Sequence, residues 1–213
     1  MLDRSEISRK AHAAFDEIWR GGDPWDLDTA TAVRTSHEHQ LELLSGRRYA
    51  RALEIGCGAG AFTRRLAEIA DSILAIDVAA PAIEHARASG LDPGRVDFRV
   101  LNAMDLQPQA EGPFDLVVFS EAVYCIGWLY PLFDLGWLVS ELHEATTPGG
   151  RLLLANTYGS AHDYLLSPWL IDTYRDLVRN VGWSLEHEDV LAVEKDGVDF
   201  EIVVGLYERP DQP

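Results

Sequence analysis

Apolar residues recur along this chain at two spacings, one typical of amphipathic helices and the other of buried strands. Up to residue 46 the spacing is helical and predicts two helices, at 5–19 and 28–45. From residue 49 onward, short apolar runs alternate with helical stretches, a pattern typical of a parallel sheet with helices on its faces. The predicted strands are 49–55, 73–78, 96–101, 114–120 and 152–158, and the predicted helices among them are 62–69, 81–89, 135–145 and 168–181.

The last two apolar runs, at 184–193 and 200–207, lie close together along the chain. Because the few residues between them cannot form a crossover helix, we predict an antiparallel hairpin. The whole pattern predicts an α/β fold: a doubly wound, Rossmann-like sheet of seven mostly parallel strands that ends in this β-hairpin. We expect residues 1–46 to form an N-terminal helical lid that does not fold independently, and residues 47–213 to form the ligand-binding domain.

Composition limits what the chain can bind. Its 213 residues suffice for one domain of about 150 residues and a small appendage. The 18 Lys and Arg residues against 35 Asp and Glu residues give a formal net charge of −17. Because phosphate contacts need clustered cations, we expect no binding to nucleic acid or to anionic membranes. We expect a small-molecule substrate instead, and a monomer or homodimer as the assembly.

The two cysteines, Cys57 and Cys125, belong neither to a Cys-x-x-Cys pair nor to a Cys/His cluster. We therefore expect no metal site and a reducing compartment. Residues 1–6 lack the apolar core of a signal peptide, and no apolar run approaches the roughly 20 residues that span a bilayer. A cytoplasmic location is the resulting expectation.

The candidate chemistry begins where the first predicted strand ends. There the chain reads Gly56-Cys57-Gly58-Ala59-Gly60, and glycines between a strand and a helix let the backbone turn sharply and a ligand approach closely. Asp77 ends the next predicted strand, about 20 residues further on, where a carboxylate can accept hydrogen bonds from both hydroxyls of a ribose. The alternative for Asp77 is a cap for the helix that begins near Pro81.

A nicotinamide oxidoreductase is one alternative, because the glycine loop also fits the dinucleotide-binding pattern Gly-x-Gly-x-x-Ala. Two features disfavour it. The acidic Glu54 just before the glycines repels a pyrophosphate but suits a cationic amino-acid group. The predicted sheet also closes with a hairpin, where a nicotinamide enzyme of this build needs further parallel strands or a catalytic domain.

The stretch from Glu54 to Gly60, with Asp77 after it, resembles the first two motifs of the class I S-adenosylmethionine-dependent methyltransferases. The closing hairpin is similar to the inserted seventh strand of that fold, so the resemblance covers about residues 50–209. It implies that S-adenosyl-L-methionine is the cofactor and S-adenosyl-L-homocysteine the product. The residues it implies around the methionine and ribose parts are Glu54, Gly56, Cys57, Gly58, Gly60, Asp77 and Val78.

The third strand of the family pattern ends in an acidic residue that accepts a hydrogen bond from the adenine amino group. In this chain that place holds Asn102, whose side-chain oxygen can accept the same bond without a charge. The resemblance then implies that the backbone N–H of Ala103 meets the adenine ring, with Met104 beside it. Asp105 is the alternative acceptor.

The fourth predicted strand brings Ser120, Glu121 and Tyr124 to the edge of the sheet where ligands of open α/β folds bind. A carboxylate there can hold an ammonium or accept a proton from an amine. We therefore expect Glu121 and Tyr124 to be catalytic and Ser120 to contact the cofactor. The alternative is that Glu121 hydrogen-bonds only loop backbone or the cofactor amino group.

The pattern Phe-Asp-Leu-x-x-x-Ser-Glu-x-x-Tyr, which runs from Phe114 to Tyr124, resembles a narrower group, the nodulation-type N-methyltransferases. These enzymes methylate the free amine of a deacetylated chitooligosaccharide. Phe15-Asp16-x-x-Trp19 and Asp23-Pro24-Trp25 are similar to the N-terminal segment of that group. The resemblance implies that Trp25 covers the cofactor and that Arg34 meets its carboxylate; alternatively, Trp25 is a hydrophobic anchor for the lid.

Two further features belong to the same edge of the predicted sheet, and the second favours a small organic acceptor over a protein. His162, in the loop after the fifth strand, is a candidate general base because imidazole titrates near neutral pH; alternatively it is a plain surface residue. Aromatic residues crowd the stretch from 124 to 169, and a cluster of them can stack on sugar rings or surround methylammonium groups. They are Tyr124, Trp128, Tyr130, Trp137, Tyr158, Tyr164 and Trp169.

Together these features predict an S-adenosylmethionine-dependent methyltransferase of a small molecule. The predicted reaction is direct methyl transfer to an amine nitrogen, as in an amino sugar or a natural-product intermediate. Holding the reactants in line supplies roughly 7–11 kcal/mol of barrier lowering in such reactions. The alternatives are an O-methyltransferase for a carboxyl or phenol acceptor, and a non-catalytic protein that only binds the cofactor.

Overall fold

Helices and strands alternate along almost all of the chain. The structure is a computed structural model that describes residues 4–159 and 166–211. None of its described helices is both long and apolar enough to cross a membrane. The strands are β1 (Tyr49–Ile55), β2 (Ala70–Asp77), β3 (Val96–Val100), β4 (Phe114–Ser120), β5 (Thr146–Tyr158), β6 (Ser184–Lys195) and β7 (Val198–Glu208). The helices are α1 (Arg4–Trp19), α2 (Thr31–Leu44), α3 (Ala61–Ile69), α4 (Ala80–Arg87), α5 (Pro108–Glu111), α6 (Val123–Leu129), α7 (Leu132–Ala145) and α8 (Pro168–Val181).

All seven described strands form one sheet, in the order β3-β2-β1-β4-β5-β7-β6. β1 to β5 run parallel, and β7 pairs antiparallel with both β5 and β6. The predicted fold class and the predicted hairpin are confirmed. The chain order reverses between β1 and β4, so the loops that leave these strands diverge and open a crevice at their carboxyl ends.

Two strands begin earlier than the sequence predicts, and the short helix α5 is not predicted. β2 begins at Ala70, and β5 begins at Thr146, which pairs with Phe114 before a shift in register. Residues 148–150, which predict a break, lie inside β5 because Gly149 and Gly150 exchange backbone hydrogen bonds of 2.8 Å with Arg209. Helix α6 is not predicted at all.

Two apolar layers cover the sheet, one on each face. Strand residues that point alternately to the two sides supply both layers. On one face Val117 packs with residues of α7 and α8, and on the other Val118 packs with residues of α2, α3 and α4. Both valines are fully buried. Because both faces are covered, the central strands are almost wholly apolar, as a parallel sheet requires.

The two N-terminal helices lie beside the crevice. From α1, the His12 ring nitrogen Nδ1 lies 2.6 Å from the carbonyl oxygen of Val78, and Asp16 accepts a hydrogen bond of 2.8 Å from the backbone N–H of Ala80. α2 packs on α3 and on β6. Both α1 and α2 therefore border the crevice. That residues 1–46 act as a lid stays a prediction.

Candidate active site

A cavity of about 270 Å³ lies at the crevice. The loops that follow β1 to β4 and the end of β5 form its floor, and α1, α2, α6 and β7 form its sides. Most of the residues predicted to bind the cofactor or to act in catalysis meet here. They are Trp25, Glu54, Gly56, Cys57, Gly58, Asp77, Val78, Asn102, Ala103, Ser120, Glu121 and Tyr124.

Three other predicted site residues, which the structure describes, do not line this cavity. Gly60 precedes α3 and approaches the ring of Phe98 instead. Arg34 is exposed on α2, and Met104 packs against the apolar layer beneath α7. Two further predicted residues lie outside the described part of the chain, namely His162 and Tyr164.

The glycine loop approaches its neighbours too closely for side chains. Gly56 has a φ of +78°, and a Cβ built there would lie 2.6 Å from the Cβ of Ala122. Gly58 has a φ of +53°, and its Cβ would lie 3.0 Å from the Trp19 ring. Both positions require glycine for two reasons, because L-residues disfavour this backbone conformation and because the space is filled.

Asp77 holds the loop in place. Its Oδ2 accepts a hydrogen bond of 2.9 Å from the backbone N–H of Gly58, and its Oδ1 accepts one of 2.9 Å from the N–H of Ala79. The second bond lies at Ala79, the residue that precedes α4, and Asp77 also lines the cavity. Its contact with a ribose stays a prediction. Burial raises the pKa of Asp77, against these backbone hydrogen bonds. Each carboxylate oxygen keeps a lone pair for a further donor.

Glu54 is a buried carboxyl group at the cavity floor. Its side chain is 1% exposed, and its Oε2 accepts a hydrogen bond of 2.5 Å from the hydroxyl of Thr63. Burial raises the pKa of Glu54 to about 8. In the absence of a cation Glu54 therefore carries a proton near neutral pH, and a cationic group beside it favours the charged form.

Glu121 combines backbone strain with an unpaired oxygen. Its φ of +57° is rare for a residue with a side chain and costs of order 1–3 kcal/mol. The backbone N–H of Thr157 donates a hydrogen bond of 3.0 Å to Oε2, while Oε1 is buried with no hydrogen-bond partner among the described residues. Burial raises the pKa of Glu121 to about 7. The group is thus poised to exchange a proton near neutral pH.

Asn102 is the predicted adenine acceptor, and both the oxygen and the nitrogen of its side-chain amide form hydrogen bonds within the protein. Its Oδ1 accepts a hydrogen bond of 3.0 Å from the backbone N–H of Met104. Its Nδ2 donates to the hydroxyl of Tyr130 at 2.7 Å and to that of Ser8 at 3.2 Å. These bonds orient the amide rigidly at the cavity wall. Its contact with adenine stays a prediction.

The sequence alone does not point to several residues of the cavity wall. His37 contacts the Phe62 ring at 4.9 Å between centroids, and burial lowers the pKa of His37 to about 4, so the imidazole is neutral at pH 7. For His37 the sequence does give one indication: it stands where the helical spacing of 28–45 places apolar residues, so its side chain is expected to point inward. Lys195, Phe200 and Ile202 come from the hairpin, and the sequence carries no signal that the hairpin reaches the cavity.

The expected aromatic cluster at the cavity is wrong for four of its described residues. Tyr158 does not line the cavity, and its hydroxyl lies 3.4 Å from Oδ2 of Asp172 on α8. Tyr124 and Tyr130 line the cavity. Trp128, Trp137 and Trp169 instead lie on the outer surfaces of α6, α7 and α8 and are 58%, 55% and 66% exposed. Closeness along the chain does not place them together, because each helix directs successive side chains around its whole circumference.

The charges at the cavity suit a cationic ligand. Among the described residues that line it, the carboxyl groups of Glu54, Asp77 and Glu121 outnumber the single ammonium of Lys195. The sulfonium and amino groups of S-adenosylmethionine are cationic, and the cavity lies beside the glycine loop that follows β1. The residues present therefore fit the charge of this cofactor.

Comparisons with known proteins agree with this geometry. Residues 53–154 match the family described as "Methyltransferase domain". Nodulation protein S of Rhizobium tropici is 34% identical over 148 residues, which cover 69% of this chain and 58% of that protein. Ubiquinone biosynthesis O-methyltransferase of Xylella fastidiosa strain 9a5c is 28% identical over an alignment of 220 residues that covers 93% of this chain and 82% of that protein. The chain thus matches less than two thirds of the length of the R. tropici protein.

Solved structures share the fold. The crystal structure of the N-methyltransferase NodS from Bradyrhizobium japonicum WM9, in complex with S-adenosylhomocysteine, superposes with a TM-score of 0.76 at 21% identity. The match covers 94% of this chain and 98% of that one. This likeness shows the shared fold. The family match and the relatives identify the chain as a member of the class I S-adenosylmethionine-dependent methyltransferases.

Proposed function

We propose that this protein transfers a methyl group from S-adenosylmethionine to the nitrogen of a small-molecule amine. The supporting observation is the Glu121 carboxyl group just after β4, which lines the crevice and whose buried Oε1 has no hydrogen-bond partner among the described residues. The name of the B. japonicum structure, N-methyltransferase NodS, agrees with an amine acceptor.

An amine acceptor needs a proton acceptor at this position. Most aliphatic amines are protonated near neutral pH, and an ammonium has no lone pair with which to attack. When S-adenosylmethionine is bound, it supplies an electrophilic methyl group on sulfur. The Glu121 carboxylate first pairs with the acceptor ammonium and then takes one of its protons at Oε1, which frees the nitrogen lone pair. Thr157 keeps the other oxygen in place through its backbone N–H.

Methylation of an oxygen acceptor is the second candidate. The X. fastidiosa relative, whose name states an O-methyltransferase, aligns with 93% of this chain. A phenol or carboxylic acid acceptor brings no ammonium to the site, so the Glu121 carboxylate would only orient the acceptor or the loop. The two candidates therefore assign different roles to one side chain.

Methyl transfer from labelled cofactor to a panel of amines, amino sugars, phenols and carboxylic acids distinguishes the candidates. We expect labelled product only from acceptors with a free amine. Labelled phenol ethers or methyl esters, with no N-methylated product, would overturn the proposal in favour of O-methylation.

Glu121→Gln tests the proton acceptor. We expect this variant to lower kcat by roughly 10²–10⁴-fold, the usual contribution of a general base. Wild-type kcat should rise as the pH passes upward through about 7, because the base form of Glu121 lies above its pKa, and the variant should lose that rise. His162→Asn is the parallel variant for the other candidate base. Wild-type turnover with Glu121→Gln, at unchanged pH dependence, would remove Glu121 from the reaction.

A further inference from the structure

The segment between α1 and α2 covers one side of the cavity without forming a helix or strand. Asp23 shapes it, since its carboxylate accepts hydrogen bonds from the backbone N–H groups of Trp25 and Leu27. The Trp25 ring lines the cavity and meets the Trp19 ring edge-on, at 5.5 Å between centroids. Trp25 is nevertheless 39% exposed, so these contacts alone leave much of the ring unsupported.

Lys195 reaches this segment from the far end of the chain. It is the last residue of β6 and precedes the two-residue turn Asp196-Gly197 of the hairpin. Its Nζ donates a hydrogen bond of 2.8 Å to the backbone carbonyl of Trp25 and lies 3.1 Å from the Oδ2 of Asp26. Lys195 itself lines the cavity. One side chain thus joins the edge of the sheet to the segment that carries Trp25.

A second ion pair holds the same segment from outside the cavity. Arg64 of α3 pairs with Asp28, and neither residue lines the cavity. An exposed ion pair of this kind contributes little to stability, because solvent screens the two charges. The Lys195 contact differs because it includes a charge-assisted hydrogen bond to a backbone carbonyl, and that bond fixes the peptide of Trp25 itself.

We propose that Lys195 is a positioning residue that holds Trp25 across the cavity and thereby slows the release of the bound cofactor. The inference rests on the cavity as the cofactor site and is independent of the acceptor atom. It gives the hairpin a role in cofactor retention, in addition to completing the sheet.

The dissociation rate constant of S-adenosylhomocysteine, measured by surface plasmon resonance, tests the proposal without any acceptor. We expect Lys195→Met, which keeps the length of the side chain and removes the charge, to raise this rate constant about tenfold. Lys195→Arg should restore most of the wild-type rate, since a guanidinium can donate to the same carbonyl. Arg64→Met is the matched control on the same segment, and we expect it to change the rate less than twofold.

A double-mutant cycle separates positioning from general loosening of the fold. If Lys195 acts through Trp25, then Lys195→Met should change the rate little when Trp25→Ala is already present. An equal effect of Lys195→Met with and without Trp25→Ala would overturn the proposal, as would an unchanged rate in Lys195→Met. A wild-type chain that does not bind S-adenosylhomocysteine would overturn the cofactor site itself, together with this inference.

Discussion

Asp77 is a carboxylate that orders the backbone beside the cavity. Its two oxygens accept the N–H groups of Gly58 and Ala79, so they fix the glycine loop and the start of α4 relative to β2. A ligand that bonds to the same oxygens therefore meets acceptors that are already oriented. Such preorganisation lowers the entropy lost on binding.

We predict that Asp77→Asn weakens S-adenosylhomocysteine binding by about 10–100-fold, because the variant replaces a charged double acceptor by one neutral oxygen. Isothermal titration calorimetry measures the change. Asp97→Asn is the matched control, because Asp97 lies on the neighbouring strand and pairs with Arg99 at the surface. Equal affinities of wild type and Asp77→Asn would contradict the ribose assignment.

Glu54 makes the stability of the unliganded chain depend on pH. Its folded-state pKa is raised to about 8, so the folded protein binds this proton more tightly than the unfolded chain does. The resulting stability is present below the ordinary pKa of a glutamate and is lost as the pH rises through about 8.

We therefore predict that the free energy of unfolding falls between about pH 5 and pH 8, by at most about 1.4 kcal/mol per pH unit for this proton. Glu54→Gln removes the titrating group and keeps an oxygen for the Thr63 hydroxyl, so the slope should decrease. Urea unfolding at a series of pH values measures both slopes. A slope that Glu54→Gln does not alter would contradict the raised pKa.

Element by element, the amino-acid pattern predicts the sheet better than it predicts the site. Apolar runs locate every described strand, because strands buried on both faces must be apolar over their whole length. Helix α6 is missed because Cys125, Gly127 and the aromatic residues of this short stretch show no helical period. The register and the bulge that begin β5 at Thr146 depend on pairing partners that are distant in the sequence.

The site is predictable where it follows directly from strand ends. Gly56, Asp77 and Glu121 each stand just after or at the end of a strand, and the rule for open α/β sheets places them together. Helix α2 shows where this reasoning stops: Arg34 is exposed, while His37, almost one turn later, faces the cavity. Which face of a lid helix points inward depends on tertiary packing, as does the approach of the hairpin.

The β1–α3 loop offers a test of close packing at this scale. We predict that Gly56→Ala lowers the free energy of unfolding by about 2–5 kcal/mol, from the left-handed backbone and from contact with Ala122. Gly46→Ala is the matched control, since Gly46 also has a positive φ, +86°, but nothing lies within 4 Å of its Cβ position. We expect only about 1–2 kcal/mol there. Equal losses in urea unfolding would show that crowding at Gly56 contributes nothing.

For the whole molecule, the net charge of −17 places every ligand in a negative electrostatic field. S-adenosylmethionine carries one positive charge more than S-adenosylhomocysteine, so the field favours the cofactor over the product. Asp77 adds to this field at short range, as do Glu54 and Glu121 when they are ionised.

We predict that raising the salt concentration from about 0.05 M to 0.5 M weakens binding of S-adenosylmethionine by roughly fivefold and barely changes binding of S-adenosylhomocysteine. Calorimetric titration of both ligands at several salt concentrations provides the comparison. The same salt dependence for both would mean that the acidic surface does not discriminate between cofactor and product.

The position of β7 in the sheet also matters during synthesis. β7 is inserted between β5 and β6, although β5 leaves the ribosome about forty residues earlier. Until β7 pairs, a nascent chain exposes β5 as an unprotected apolar edge strand, of the kind that promotes aggregation. β7 also brings Phe200 and Ile202 to the cavity. Protection of the edge and competence to bind a ligand are therefore acquired in one late folding step.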